Sequence, residues 1–380
     1  MFDIRAGRRR SRLPVLFLVL ALVAATAACG DDDDDDSTGG GGGGGGDGDS
    51  LQIALLLPET KTARYETQDR PLFEAKVEEL CPECEILYSN AEQDASQQQS
   101  QAEAALTNGA DVLVLDPVDS ASAASMVTLA AQRDVPVISY DRLITEAEIA
   151  YYISYDNTRV GELQATALTE KLAEDGVTSG DIVMINGAPT DNNATLFKEG
   201  AHSVLDDSDY GIGVEYDTPE WSPDEAQQEM EQAITRLGAD GFVGVYAAND
   251  GTAGGAIAAM KAAGIDPIPP ITGQDAEVAG IQRVLAGEQY MTVYKAIKPQ
   301  AEIAAEVAVA LARGEEIPEA QVNEETDNDE LDVPSMILDP VAVTIDNVND
   351  TVIADEFWSV DDICTADYEA ACEAAGIGAG

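Results

Sequence analysis

Histidine is almost missing from this chain: His202 stands alone among 380 residues. That removes imidazole-based triads. It also removes most zinc sites, because no second CxxC exists to partner Cys81 and Cys84. No GxGxxG follows an apolar run and no P-loop string occurs, so nucleotide-binding fingerprints are absent as well. No metal and no cofactor is expected. Basic residues are scarce, with 20 Lys and Arg against 72 Asp and Glu and a formal net charge of −52. Such a surface repels nucleic acid and anionic head groups, so no nucleic-acid partner is expected. Aromatic residues make up only 5% of the chain, which makes each Trp and Tyr position informative.

An apolar run lies near the start of the chain, after a cluster of arginines. Arg5, Arg8, Arg9, Arg10 and Arg12 precede the stretch Leu13 to Ala25, and Thr26-Ala27-Ala28-Cys29 closes it. This is the layout of a secretory signal over 1–28, too short and wrongly flanked for a spanning helix. A cysteine directly after small residues resembles the lipobox of bacterial lipoproteins, which makes Cys29 the expected lipidation site. The protein is thus expected on the outer face of the cell membrane. Residues 29–50 add six consecutive Asp and a glycine run, an acidic tether that can bury nothing. Five cysteines suit an exported protein, one for lipid and four for two bridges. Cys81 with Cys84 and Cys364 with Cys372 are close in sequence and are expected to pair locally.

From Leu51 onward short apolar runs alternate with amphipathic stretches. QIALLLP, CEILYSN, DVLVLDP, VPVISYD, DIVMING, FVGVYAAND, PIPPITGQD and MTVYK read as buried parallel strands, with helix-like segments between most of them. This alternation predicts α/β architecture with doubly wound, Rossmann-like sheets. About ten strands exceed one comfortable sheet, so two lobes are expected. The segment 298–314 is expected to return to the first lobe, with final strands around VPSMILDPVAVT and TVIADEF. The expected division gives 51–154 with 296–331 to the first lobe, 155–295 with 332–362 to the second, and 363–380 to a tail.

Ligands in open α/β sheets lie beyond the carboxyl ends of the strands. Arg64 and Tyr65 follow IALLLP, Asp141 and Arg142 follow VPVISY, and Asp191, Asn192 and Asn193 follow IVMING. Trp221 follows GIGVEYD, Asn249 and Asp250 follow FVGVYAA, Gln274 and Asp275 follow PPITG, and Lys295 follows MTVY. Planar carboxylate, carboxamide and guanidinium groups match vicinal hydroxyls, and flat aromatics cover the C–H face of a pyranose. Asp and Asn after strands are also common helix caps, so Asp191 and Asp250 stay open between cap and ligand group. Caps do not explain Arg64, Arg142, Lys295 or Trp221.

The segments YDRLI (140–144), YYISYDN (151–157), GAPTDNNATLF (187–197), ANDGTAGGAI (248–257), GQDAE (273–277), MTVYK (291–295) and VPSMIL (333–338) resemble periplasmic D-xylose-binding proteins and the related multi-sugar receptors. The likeness runs in order from about residue 51 to 358. It implies a type I solute-binding protein: two lobes joined by three hinge strands, closing on one monosaccharide and working with an ABC permease as a monomer. Carried over residue by residue, it implies ligand contacts from Arg64, Tyr65, Asp141, Arg142, Asn193, Trp221, Asn249, Asp275 and Lys295. Tyr65 stands where Trp is common in the family. A cyclic aldose, xylose before others, is the implied ligand, and a broader aldose receptor or a partner of a membrane sensor is the alternative. A glycosidase acting through Asp141 and Asp275 would need a carboxylate pair with separate roles. A sugar-responsive repressor would need a basic helix-turn-helix before the first strand, where this chain has a leader and an acidic tether.

Overall fold

The computed structural model describes residues 50–378. The expected leader, Cys29 and nearly all of the tether lie outside the described residues. The first lobe begins with β1 (Gln52–Leu57), α1 (Arg70–Leu80), β2 (Glu85–Asn90), α2 (Ala95–Asn108), β3 (Val112–Leu115), α3 (Ala124–Ala131), β4 (Val137–Tyr140) and β5 (Tyr151–Tyr155). The second lobe follows with α4 (Asn157–Glu174), β6 (Gly180–Asn186), α5 (Asn192–Leu205), β7 (Tyr210–Asp217), α6 (Pro223–Leu237), β8 (Gly244–Ala247), α7 (Asp250–Ala262), α8 (Val278–Leu285) and β9 (Thr292–Tyr294). The chain then supplies α9 (Ile297–Ala312), β10 (Glu324–Asp327), β11 (Asp332–Leu338) and β12 (Val341–Val343).

The first sheet runs β10-β11-β5-β4-β3-β1-β2. It is parallel throughout except for β10, which pairs antiparallel at one edge. β1 shows why its sequence is apolar from Ile53 to Leu57. Ile53, Leu55 and Leu57 face the core under α1 and α9, while Ala54 and Leu56 face the core under α2 and α3. A strand covered on both faces loses the polar alternation of a half-exposed one. The second sheet, β7-β6-β8, repeats the pattern, with Ile182 and Met184 facing one way and Val183 and Ile185 the other. β9 pairs antiparallel with β12.

Three segments cross between the lobes: Tyr155 to Asn157, Tyr294 to Ile297, and Leu338 to Val341. They bond to one another. The Asp156 amide donates to Leu338 O at 3.0 Å, and the Tyr155 hydroxyl to Ala296 O at 2.6 Å. α9 returns to the first lobe as expected from its sequence, with Ala301, Ala304, Ala305 and Ala308 buried in the core it shares with α1.

The structure departs from the sequence reading at four places. PIPPITGQD forms only the isolated bridges Val245–Ile271 and Gln274–Val293, because Pro267, Pro269 and Pro270 carry no amide donor. TVIADEF forms no strand; a helical turn spans Asn349–Ile353, with Val348 and Val352, four residues apart, buried in one core. Residues 332–338, expected in the second lobe, pair with β5 in the first sheet, and the crossing comes after Leu338, where Asp339-Pro340 ends the strand. Residues 363–378, expected as a tail outside both lobes, join a core: Ile363, Cys372 and Ile377 pack with Ile281, Tyr294 and Ile297. Disulfides join Cys81 to Cys84 and Cys364 to Cys372.

Candidate functional site

All nine residues implied as ligand contacts by the resemblance line one cleft between the lobes, with Thr62, Asp191, Phe197 and Gln274 completing its wall; of the other strand-end residues, Asn192 and Asp250 do not line it. The space between its wall atoms amounts to about 260 Å³, part of it open to solvent.

On the first lobe, Arg64 and Tyr65 begin the helical turn that leads into α1. Arg64 Nη1 lies 3.0 Å from Asp69 and Nη2 lies 2.7 Å from Asp141. The Tyr140 hydroxyl donates to Asp69 at 2.6 Å, so the guanidinium is held from behind. Asp141 has a left-handed backbone, φ 58°, at the end of β4. Its carboxylate accepts from the Tyr65 hydroxyl at 3.2 Å and from Gln300 of α9 at 3.3 Å. Burial alone would raise the Asp141 pKa. Arg64, Lys295 and Arg142 outweigh it and hold the carboxyl well below the usual range. Asp69 goes the other way: burial, only partly offset by Arg64 and Tyr140, raises it to about 6. Asp116, behind Arg142, is pushed well above the carboxylate range by burial.

On the second lobe, backbone geometry does more of the placing. Asp191 caps α5, accepting from the Asn193 amide, and its other oxygen accepts from Trp221 Nε1 at 3.1 Å. Glu220 and Trp221 are consecutive left-handed residues, φ 55° and 54°. This conformation is costly without glycine and points to a turn fixed by its surroundings. The indole then lies against Gly187, where an added Cβ would stand 2.0 Å from Cη2. Asn249 caps α7 through its carbonyl oxygen, leaving its amide nitrogen as the group it can offer the cleft. Asp275 is again left-handed, φ 88°.

The charges pair reciprocally across the lobes. Arg64 Nε lies 3.4 Å from Asp275, Arg142 Nε 3.0 Å from Asp191, and Lys295 Nζ 3.7 Å from Asp141, while within the second lobe Lys295 Nζ also lies 3.7 Å from Asp275. Asn193 donates across the cleft to Asp141 O at 3.1 Å. Several buried polar atoms here have no hydrogen-bond partner in the protein, among them Arg64 Nε, Gln274 Oε1 and Asp275 Oδ1. Buried polar groups are seldom left so, and their clustering suits a ligand that both donates and accepts. No group of side chains able to hold a metal ion occurs among the described residues.

The family model described as a periplasmic binding protein domain matches residues 53–316. The chain belongs to this family. A D-xylose-binding periplasmic protein of Escherichia coli is 39% identical over 311 residues, covering 81% of this chain and 91% of that relative. A multiple sugar-binding periplasmic receptor of Rhizobium radiobacter is 32% identical, over 71% and 81%. Among solved structures, an ABC transporter solute binding protein from Clostridium phytofermentans with bound β-D-glucose superposes with a TM-score of 0.76 at 29% identity, covering 82% of this chain and 99% of that one. The fold is the type I periplasmic binding protein fold.

Sequence reasoning missed the residues that stand behind the site. Asp116 directly follows β3 and obeys the strand-end rule, so the same rule could have found it. Asp69 and Gln300 lie on helical segments, where a buried polar residue looks like any solvated one. Asp191 turns out to be a cap and a site residue at once. It anchors the indole and pairs with Arg142 across the cleft.

Proposed function

We propose that this periplasmic binding protein captures one cyclic monosaccharide, D-xylose in preference to others, and delivers it to the permease of an ABC importer. The observation that carries this reading is the meeting of both lobes' planar polar groups in one cleft. Arg64, Tyr65, Asp141 and Arg142 face Asn193, Trp221, Asn249, Asp275 and Lys295 as the ligand-binding set. A sugar bridging the two half-sites favours the closed arrangement over an open one by its contacts to both. The 39% identity to a D-xylose-binding protein supports xylose. The glucose-bound and multiple sugar-binding relatives support a second, broader aldose reading.

The protein acts as a receptor and not as an enzyme. Asp141 is pinned in its ionised form between three cations, so it makes a poor proton donor, and no nucleophile–base pair lines the cleft. It works as a monomer held at the outer face of the cell membrane by a lipid on Cys29. Residues 51–154 with 296–338 make one lobe, and 155–295 with 339–362 the other.

Isothermal titration with xylose, glucose, ribose and a disaccharide tests the reading. Tightest binding is expected for xylose, weaker binding for glucose, and none for the disaccharide, whose second ring the cleft cannot enclose. Absence of binding by every monosaccharide would overturn it.

A further inference from the structure

Beyond the cleft, the C-terminal segment packs where both lobes meet the hinge. The Phe357 ring lies 5.1 Å from Tyr294, the neighbour of Lys295, and 5.1 Å from the ring of Trp358. Trp358 Nε1 donates at 2.8 Å to the carbonyl of Ala276, directly after Asp275 in a stretch of two left-handed residues. Phe357 O accepts at 2.9 Å from Gln68 Nε2 of the first lobe, directly before Asp69, which holds Arg64. One two-residue turn therefore bonds to a site-bearing turn of each lobe and touches the hinge between them. Leu72 of α1 packs on the same core from the first-lobe side. The Cys364–Cys372 bridge closes the segment that follows, and Gln282 of α8 donates to Ile363 O at 3.0 Å. None of Gln68, Phe357 and Trp358 lines the cleft.

We infer that the Phe357–Trp358 turn is a positioning element for the ligand site, a strap that ties the Arg64-bearing turn of the first lobe to the Asp275-bearing turn of the second. Its bearing on sugar affinity rests on the function proposed above; its bearing on the lobes does not. Because Arg64 and Asp275 pair across the cleft, a contact that fixes both of their supports favours the closed arrangement. The strap acts on dissociation more than on association, since a bound sugar leaves by reopening the lobes.

Two mild substitutions test this while keeping the core filled. Trp358→Phe removes the donor to Ala276, and Gln68→Met removes the donor to Phe357. The first readout is hydrogen exchange in sugar-free protein at the amides of Ala63 and Ser120. These donate across the lobes to Glu277 Oε1 at 3.2 Å and to Thr190 O at 3.0 Å. Exchange at both is expected to speed several-fold in each variant, with strand amides inside each lobe unchanged. The second readout is xylose dissociation, expected about fivefold faster per variant, the scale of one lost hydrogen bond, with association unchanged. The pair Cys364→Ser with Cys372→Ser is expected to act in the same direction, whereas Cys81→Ser with Cys84→Ser is silent. A purely structural role would lower melting temperature and leave both readouts as in the wild type. Unchanged exchange at Ala63 and Ser120, or unchanged dissociation where the wild type binds xylose, overturns the strap. A wild type that binds no sugar while exchange still speeds defeats the proposed function and leaves the strap standing.

Discussion

Arg64 and Arg142, on the first wall of the cleft, each meet several carboxylates, whereas Asn193, Trp221 and Asn249 on the opposite wall are set by helix ends and left-handed turns. The first wall is held by electrostatics in a buried setting, where each charge is stable only while its partners remain. The second wall is held by covalent geometry and close steric fit. The same ligand can thus be gripped by two kinds of rigidity, and the two should fail differently. Charge removal should undo the first wall, and a single methyl group the second.

The largest effect is expected at Arg142. Its guanidinium lies within 4 Å of Glu59, Asp116 and Asp191, all nearly or fully buried. Arg142→Ala should weaken xylose binding by about 2–4 kcal/mol and lower unfolding stability by a similar amount. Arg142→Lys should restore only part of the loss, because an ammonium cannot reproduce the planar fork. Titration calorimetry and urea unfolding read both quantities, and near-wild-type values in Arg142→Ala would break the distinction between the walls.

Gly187→Ala comes next. It deletes no polar contact, yet its methyl group would overlap the Trp221 indole. Xylose affinity should fall about tenfold, and Trp221→Phe in the same background should recover part of it by making room. A silent Gly187→Ala would mean that the second wall is softer than its backbone suggests.

Acidity sharpens the contrast further. Burial raises Asp69 from the ordinary 3.8 to about 6 in the folded protein. Burial likewise raises Asp250, at the start of α7, to about 7 against the opposing pull of Arg283 and Gln289. Between the ordinary value and these folded values the native state binds more protons than the unfolded chain, so stability should fall as pH rises from about 4 to about 7. Asp69→Asn should flatten the part of the curve below about 6. Asp69 Oδ1 accepts from both Arg64 and Tyr140, while Oδ2 has no partner, so an amide keeps those two acceptor contacts while losing the titratable charge. Urea midpoints across this range decide it, and a wild-type curve that rises instead would contradict the assignment.

The smallest effect belongs to the rim. Lys61 and Glu220 pair across the lobes at 2.8 Å, but both are exposed. Exposed pairs contribute little, so Lys61→Ala should change xylose affinity by no more than about threefold. Glu315→Ala, on an exposed turn after α9, should change nothing measurable.

Strand ends pointed to the region of the cleft, because the α/β fold brings strand carboxyl ends together whatever the loops between them do, and the family resemblance narrowed the candidates to nine. The lobes were legible from the alternation of apolar runs and helices. Asp69 and Gln300 were not, because they act through side chains placed by packing between distant segments, and no local pattern separates them from solvated polar residues. The position of β11 was hidden for a related reason. VPSMIL reads as a strand in either lobe, and only its pairing with β5 decides which. The packing of 363–378 was hidden because a short Ala-rich segment with two cysteines shows no periodic pattern until its few apolar residues are seen in a shared core.

Strand β10, Glu324-Glu325-Thr326-Asp327, forms the antiparallel edge of the first sheet and carries three acids in four residues. An open sheet edge is a template on which a second chain can add its own backbone ladder. Here any approaching copy brings the same negative row, so like charges meet before hydrogen bonds can form. Salt shortens the reach of that repulsion, and acid that neutralises the carboxylates removes it. This electrostatic barrier to edge pairing is therefore conditional on the medium. Acidic, concentrated solutions are where chains should begin to join edge to edge into fibrous aggregates.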